Sequence, residues 1–300
     1  MFKLPNGIDI NNLIDNLRIF SWEAADYLLH YSQLFKDGNY ESLTINKEKN
    51  EDPVTKADLI VNEIIIKRIK EHYGDIKWGI LSEENAKIGE GIRNEKFEWL
   101  WVLDPLDGTR DFIQASGNYA MHLALNFRNR PYLGVVLIPK KGELWFGYED
   151  KVWFENREIS KFKVNVPENK ILQDMTLVTS KNHRNEVLKN LIQKINFKEV
   201  KIMGSIGCKI ASIVKGESDI YVCLSLPGKS CPKDWDFAAP EAILKAAGGA
   251  ITNLNNEELI YNQTNFEQGG IIVATNNALI HRDICLEIKE IIKEFKIYPL

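Results

Sequence analysis

Much of what marks the common enzyme classes is missing from this 300-residue chain. Its four cysteines (Cys208, Cys223, Cys231 and Cys285) form no C-x-x-C pair, which argues against a zinc ribbon or a disulfide framework and for reduced thiols. The five histidines (His30, His72, His122, His183 and His281) show no metal-binding spacing. There is no G-x-S-x-G elbow, no P-loop and no G-x-G-x-x-G. No apolar run reaches membrane-spanning length, and the first residues lack the apolar core of a signal peptide. Positive charge is not in excess either. A formal net charge of −4 speaks against binding a nucleic-acid polymer or an anionic membrane. The expectation is a cytoplasmic protein, monomer or homodimer, whose partner is a small molecule. Its length allows two domains.

Carboxylates, by contrast, sit at conspicuous places. The apolar run Trp99–Leu103 reads as a short buried strand, and it ends in Asp104-Pro105-Leu106-Asp107-Gly108-Thr109. Proline fixes one dihedral there, and Gly108 lets the backbone turn sharply. Two carboxylates converging beside the N–H groups of Gly108 and Thr109 suit a hard cation next to a phosphate. An acidic surface turn with a helix cap is the other reading of the same stretch.

Further acids follow the same rule. Ser82-Glu83-Glu84 ends the predicted strand at Trp78–Leu81, where solvated loop acids are the alternative. Asp52 lies upstream of a predicted helix whose start, Thr55 with Asp58, fits a capping box. Asp236 opens the predicted helix Phe237–Ala247 and reads either as its N-cap or as a ligand. A carboxylate cluster without histidine favours Mg²⁺ or Mn²⁺ over zinc. His122, inside a predicted strand, reads as a packed or hydrogen-bonded residue.

Elsewhere the pattern is regular. A long amphipathic helix is expected from Asp9 to about Phe35, capped near Asp9 or Asn11. Strands at Ala120–Phe127, Tyr132–Ile138, Leu144–Tyr148 and Val152–Phe154 alternate with tight turns, as in an antiparallel meander. From Thr176 onward strands and helices alternate, which implies an α/β layered unit. The expected division is an N-terminal α+β domain over 1–166, with the antiparallel sheet and most of the metal ligands. An α/β domain over 167–300 then holds Asp236 and a wall of the substrate pocket.

Four blocks, Asp52-Pro53-Val54-Thr55-Lys56-Ala57-Asp58, Ser82-Glu83-Glu84, Asp104-Pro105-Leu106-Asp107-Gly108-Thr109 and Trp235-Asp236-Phe237-Ala238-Ala239-Pro240, stand in an order that resembles the inositol monophosphatase superfamily. Leu81-Ser82-Glu83-Glu84, Leu133-Gly134-Val135-Val136, and Gly204-Ser205 followed by Lys209 are most similar to its bacterial 3′(2′),5′-bisphosphate nucleotidases. The resemblance implies a layered α/β (α+β) fold, a two-domain αβαβα sandwich shared with the fructose-1,6-bisphosphatases. It also implies a lithium-sensitive phosphomonoesterase using two or three Mg²⁺ ions, with Mn²⁺ as a substitute. Glu83, Asp104 and the Leu106 carbonyl would hold one ion, Asp104, Asp107 and Asp236 a second, and a third would share Glu83. Asp52 and Thr109 would take a proton from the attacking water. Gly108 and Thr109 would cradle the phosphate, while Gly204, Ser205, Lys209 and Asp236 would line the substrate pocket. A strand-to-helix turn capped by Ser205 accounts equally well for Gly204 and Ser205.

The implied reaction converts 3′-phosphoadenosine 5′-phosphate to AMP and phosphate, with the 5′-phosphosulfate as a second substrate and a role in sulfate assimilation. Inositol phosphate and other sugar or polyol phosphates are the alternative substrates. A non-catalytic phosphonucleotide sensor is the alternative from another class. Arg110-Asp111 departs from the Lys-Glu usual in that subgroup, and arginine does not replace lysine neutrally at a phosphate site.

Overall fold

A computed structural model of the chain describes residues 4–5, 7–43, 54–89, 97–158, 160–162, 164, 169–181 and 185–299. The first element is α1 (Ile10–Lys36), started by Asp9, whose carboxylate accepts from the N–H groups of Asn11 and Asn12 at 3.0 Å each. Such a cap contributes about 1 kcal/mol. After the single turn α2 (Tyr40–Leu43), α3 (Lys56–Tyr73) begins with the capping box expected of Thr55 and Asp58. Both helices lay an apolar stripe, including Leu13, Leu17 and Leu28 on α1 and Val61, Ile65 and Ile69 on α3, against a first sheet.

That sheet has seven strands in sequential order: β1 (Gly79–Ser82), β2 (Trp99–Asp107), β3 (Ala120–Phe127), β4 (Arg130–Ile138), β5 (Glu143–Tyr148), β6 (Lys151–Glu155) and β7 (Lys161–Phe162). β1 and β2 pair in parallel and all later neighbours antiparallel, which is the expected meander with one parallel strand added. Alternate residues sort the two faces. Trp101, Leu123, Val135 and Phe146 pack toward α1 and α3, whereas Val102, Ala124, Val136 and Trp145 face the opposite way.

The opposite face carries α7 (Ile206–Val214) and α8 (Asp234–Ala246), which are sandwiched against a second sheet. Its strands run in the order β11 (Ala250–Asn253), β12 (Ile271–Thr275), β10 (Ile220–Leu224), β8 (Thr176–Thr179) and β9 (Glu199–Ile202). β9, β8 and β10 are parallel, and β12 and β11 antiparallel. The last layer is α6 (Glu186–Ile195) with α9 (Ala278–Phe295), closed over Leu177, Val222 and Val273. The result is α, β, α, β, α. The domain boundary expected at 166/167 falls outside the described residues.

Three features of this frame position the site. β8 leads on to its neighbour β9 at one edge, whereas the adjacent parallel strand β10 leads on to β11 at the other, so a topological switch point lies between the carboxyl ends of β8 and β10. Crevices for ligands form there in open α/β sheets. The helix α8 approaches the first sheet very closely, because Gly134 and Gly147 present no side chain to it. A Cβ on Gly134 would stand 2.4 Å from the Ala239 carbonyl oxygen, and one on Gly147 2.5 Å from the Ile243 Cα. Finally, α8 starts three residues earlier than its apolar pattern predicts. Asp234 and Trp235 belong to its first turn, and Asp236 is its third residue rather than its N-cap.

Candidate active site

β2 is longer than its apolar run suggests, and the extra residues make the site. Asp104 pairs with His122 and Asp107 with Ala120, so three steps along β2 match two along β3. Pro105, which has no N–H for a ladder bond, falls in this bulge. The extra residue reverses the alternation. Leu103 and Leu106 then share the face toward α1 and α3, which leaves Asp104 and Asp107 together on the other. In a regular strand residues three apart would point to opposite faces.

Asp236 completes the group from the first turn of α8. Ligand atoms of Asp104, Asp107 and Asp236 all lie within 4.8 Å of one another. Asp236 Oδ2 accepts from the Lys233 N–H at 2.6 Å, which ties the side chain back to the helix start. Asp104 is almost wholly buried, and its Oδ1 accepts from the Leu106 N–H at 3.0 Å. Asp104 and Glu83 are close enough that each carboxyl acts on the other. Burial, followed by the charges of Glu83, Asp107 and Asp236, holds the Asp104 pKa well above the carboxylate range. Glu83 is raised as well, chiefly by burial.

Glu83 comes from α4 (Glu83–Lys87), a five-residue helix where the sequence shows only a polar stretch too short for periodicity. Its two acids stand in the first turn, favourable for the helix dipole. Lys87 bridges both, 2.9 Å from each.

Asp107 faces two ways. Its Oδ2 accepts from Ser205 Oγ at 2.7 Å, from the N–H of Ile206 and from the N–H of Gly207 at 3.3 Å. The carboxylate thus caps α7 from outside while Ser205 caps it from within, receiving the Cys208 N–H at 3.2 Å. Ser205 holds a φ of +51°, an uncommon conformation for serine, and these two hydrogen bonds offset its strain. Gly108 needs the left-handed region outright: φ is +89°, and a Cβ there would approach the Asn118 carbonyl at 3.0 Å and the Ser205 nitrogen at 3.2 Å. It leads into α5 (Thr109–Ile113).

Thr109 Oγ1 lies 3.1 Å from the Leu106 carbonyl and 3.4 Å from Asp58 Oδ1. Burial pushes the Asp58 pKa up to about 7, against the pull of its bonds to Thr55. Nothing in the sequence marks Asp58 beyond its capping box, which explains it fully. Its nearness to Thr109 is visible only in three dimensions. Asp52, the expected partner of Thr109, is outside the described residues. Lys209, on α7, is buried, with Nζ donating to the Ser205 carbonyl at 3.1 Å and standing 5.2 Å from the centre of the Tyr221 ring.

All the other site residues named from the sequence line one cleft, from Glu83 and Asp104 at one end to Gly204, Ser205 and Lys209. Residues at the carboxyl ends of β8 and β10, among them Ser180, Lys181 and Ser225, complete its wall at the switch point. Its volume of ≈2280 Å³ is several times that of a pocket for one drug-sized molecule, so size does not separate a nucleotide from a sugar phosphate.

The donor set fits a hard divalent cation. Among the described residues, three carboxylates crowd together with no histidine or cysteine in the group, and Asp104, whose pKa is raised first by burial and then by the charges of Glu83, Asp107 and Asp236, is a carboxylate that such a cation would stabilise. A family model described as the inositol monophosphatase family matches residues 18–292. The chain belongs to that family. It is a phosphatase, with the fold that the sequence resemblance implies.

This phosphatase is 33% identical over 219 residues to the 3′(2′),5′-bisphosphate nucleotidase CysQ of Buchnera aphidicola, an alignment covering 73% of this chain and 78% of that one. It is 29% identical over 254 residues to the protein of the same name from Aggregatibacter actinomycetemcomitans, covering 84% and 88%. Solved structures agree on the fold. The IMPase of Thermotoga maritima superposes with a TM-score of 0.72 at 22% identity, covering 95% of this chain and 99% of that one. The extragenic suppressor protein suhB of Bartonella henselae gives 0.74 at 20%, covering 93% and 99%. Among the described residues, no helix is long and apolar enough to cross a membrane.

Proposed function

We propose that this phosphatase is Mg²⁺-dependent and removes the 3′-phosphate of 3′-phosphoadenosine 5′-phosphate, giving AMP and phosphate, with the 5′-phosphosulfate as a second substrate. The observation that carries the reading is the convergence of Asp104, Asp107 and Asp236 at a cleft whose other wall is Ser205 and Lys209. The choice of a bisphosphate nucleotide is supported by the names of the relatives at 33% and 29% identity.

Asp104, Asp107 and Asp236 would hold the cations, with Glu83 and the Leu106 carbonyl beside them. A divalent cation held there would supply positive charge to the phosphate and to the leaving oxygen. The chain's own groups supply the rest. Asp107 Oδ2 is taken up by α7, which leaves Oδ1 for a cation and makes the metal site and the substrate wall move as one unit. The N–H groups of Gly108 and Thr109, where α5 begins, would donate to the phosphate. The Thr109 hydroxyl lies 3.1 Å from the Leu106 carbonyl and 3.4 Å from Asp58 Oδ1. It would take a proton from the attacking water only as it passes its own hydrogen to a carboxylate, for which Asp58 is within reach and Asp52 is the candidate named from the sequence. Such positioning and charge neutralisation dominate phosphoryl transfer.

The test is phosphate release from 3′-phosphoadenosine 5′-phosphate, 3′-AMP and inositol 1-phosphate by protein stripped of metal and then resupplied with Mg²⁺. Stripped protein should be inactive, Mg²⁺ should restore it, and the bisphosphate should turn over fastest. Full turnover in excess chelator rejects the metal requirement. Faster hydrolysis of inositol 1-phosphate rejects the nucleotide.

A further inference from the structure

Opposite Asp104 on the neighbouring strand stands His122, completely buried between the first sheet and the ends of α7 and α8. Three contacts hold its ring. Nδ1 is 3.3 Å from the Trp235 carbonyl oxygen in the first turn of α8. The Gly207 N–H, in the first turn of α7, reaches Nε2 at 3.1 Å. The same Nε2 lies 3.2 Å from Asp107 Oδ2, which shares the Gly207 N–H at 3.3 Å. An N–H aimed at Nε2 requires a lone pair there, which assigns the ring proton to Nδ1 and makes it the donor to Trp235. Space has been left for the ring: a Cβ on Gly207 would come within 2.3 Å of Nε2.

The ring therefore touches Asp107 on one side and the residue before Asp236 on the other. We propose, on the strength of the metal reading above, that His122 is a positioning residue for the cation site, bracing the end of β2 and α7 against the first turn of α8 and so fixing the separation of Asp107 from Asp236. Three like charges repel one another, and the arrangement that binds a cation tightly is the one that the surrounding structure holds without its help. A histidine that merely filled the core would affect stability alone.

The experiment is calorimetric titration of Mn²⁺ into metal-stripped full-length protein. It compares wild type, His122→Gln, His122→Asn, His122→Phe and Asp236→Asn, with each melting temperature measured in chelator. A glutamine amide reaches the place of Nε2, and an asparagine amide that of Nδ1. Gln keeps the acceptor for Gly207 and loses the donor to Trp235, Asn does the reverse, and Phe loses both. Phe should bind Mn²⁺ about ten- to a hundred-fold more weakly, the usual cost of losing a group that orients a ligand, and Gln and Asn should each fall between Phe and wild type. If Phe does not fold, Gln and Asn decide. Wild-type affinity in both the Gln and the Asn variant overturns the proposal. Absence of Mn²⁺ binding by wild type, or binding unchanged by Asp236→Asn, overturns the metal reading and this inference with it.

Discussion

The closeness of α8 to the first sheet makes Gly134→Ala a sharp test of how the site is held. The added Cβ would stand 2.4 Å from the Ala239 carbonyl oxygen, 2.8 Å from the Ala242 Cβ and 3.1 Å from the Ala239 carbonyl carbon. Two of these are backbone atoms, so no side-chain rotation relieves the clash. Restoring ordinary contact requires α8 to retreat by about 1 Å, an overpacking that costs roughly 1–3 kcal/mol. For a chain of 300 residues that lowers Tm by about 2–5 °C. Asp236 lies three residues from Ala239 on the same helix and moves with it, away from Asp104 and Asp107, which belong to the sheet. A displacement of about 1 Å at reacting groups costs on the order of a hundred-fold in rate. The assay is kcat/KM at saturating Mg²⁺ and well below the variant's Tm, together with calorimetric Mn²⁺ affinity. Activity should fall by ten- to a hundred-fold in a folded protein, far more than the fraction unfolded explains. A variant with wild-type kcat/KM and affinity but a lowered Tm would refute the claim that the glycine contact sets the position of Asp236.

Two further perturbations are independent of that contact. Lys209→Met, assayed on 3′-phosphoadenosine 5′-phosphate and on 3′-AMP, should raise KM on the bisphosphate by about ten- to a hundred-fold, the worth of a charge-assisted bond to the distal phosphate, with little change in kcat; equal losses on both substrates would mean that Lys209 serves only Ser205 and Tyr221. His281 is buried between Thr252 and Thr275, 2.8 Å from each hydroxyl, and burial holds its pKa down to about 4. The unfolded chain protonates this histidine below pH 6.5 and the folded one does not, so its contribution is intact above pH 6.5 and is lost as pH falls toward 4, by roughly 2–4 kcal/mol. Urea midpoints of wild type and His281→Gln from pH 4 to 7 should converge on the acid side, and parallel curves would contradict the assignment.

How far the sequence carries depends on the range over which each signal acts. The cap at Asp9, the capping box of Thr55 and Asp58, the Ser205 cap of α7 and the turns of the meander are local, set by a few adjacent residues, and they are legible without a structure. The start of α8 is not. Lys233 has no side-chain oxygen to announce a helix, and the N–H it leaves open is satisfied by Asp236 reaching back from the third position. Lys233-Asp234 therefore looks like loop, although Asp234 is already the first residue of the helix. α4 is hidden for another reason, since five residues are too few to show a period.

Recognising acids at strand ends finds the members of the site and says nothing of how they come to face one another. Asp104 and Asp107 are three apart, a spacing that in a plain strand separates them, and only the register slip against β3 brings them to one face. Pro105 is compatible with that slip but does not dictate it, because the slip is a relation between two strands. The same holds for Asp58, whose pairing with Thr109 spans 51 residues, and for His122, which a strand pattern marks simply as buried. The contacts of His122 and the approach of Asp236 depend on the distance between layers, which is kept short at Gly134, Gly147 and Gly207, where the absent side chain lets a helix or a ring approach. The carboxylates give the cleft its charge, and these glycines keep α8 close enough to the first sheet for Asp236 to meet Asp104 and Asp107.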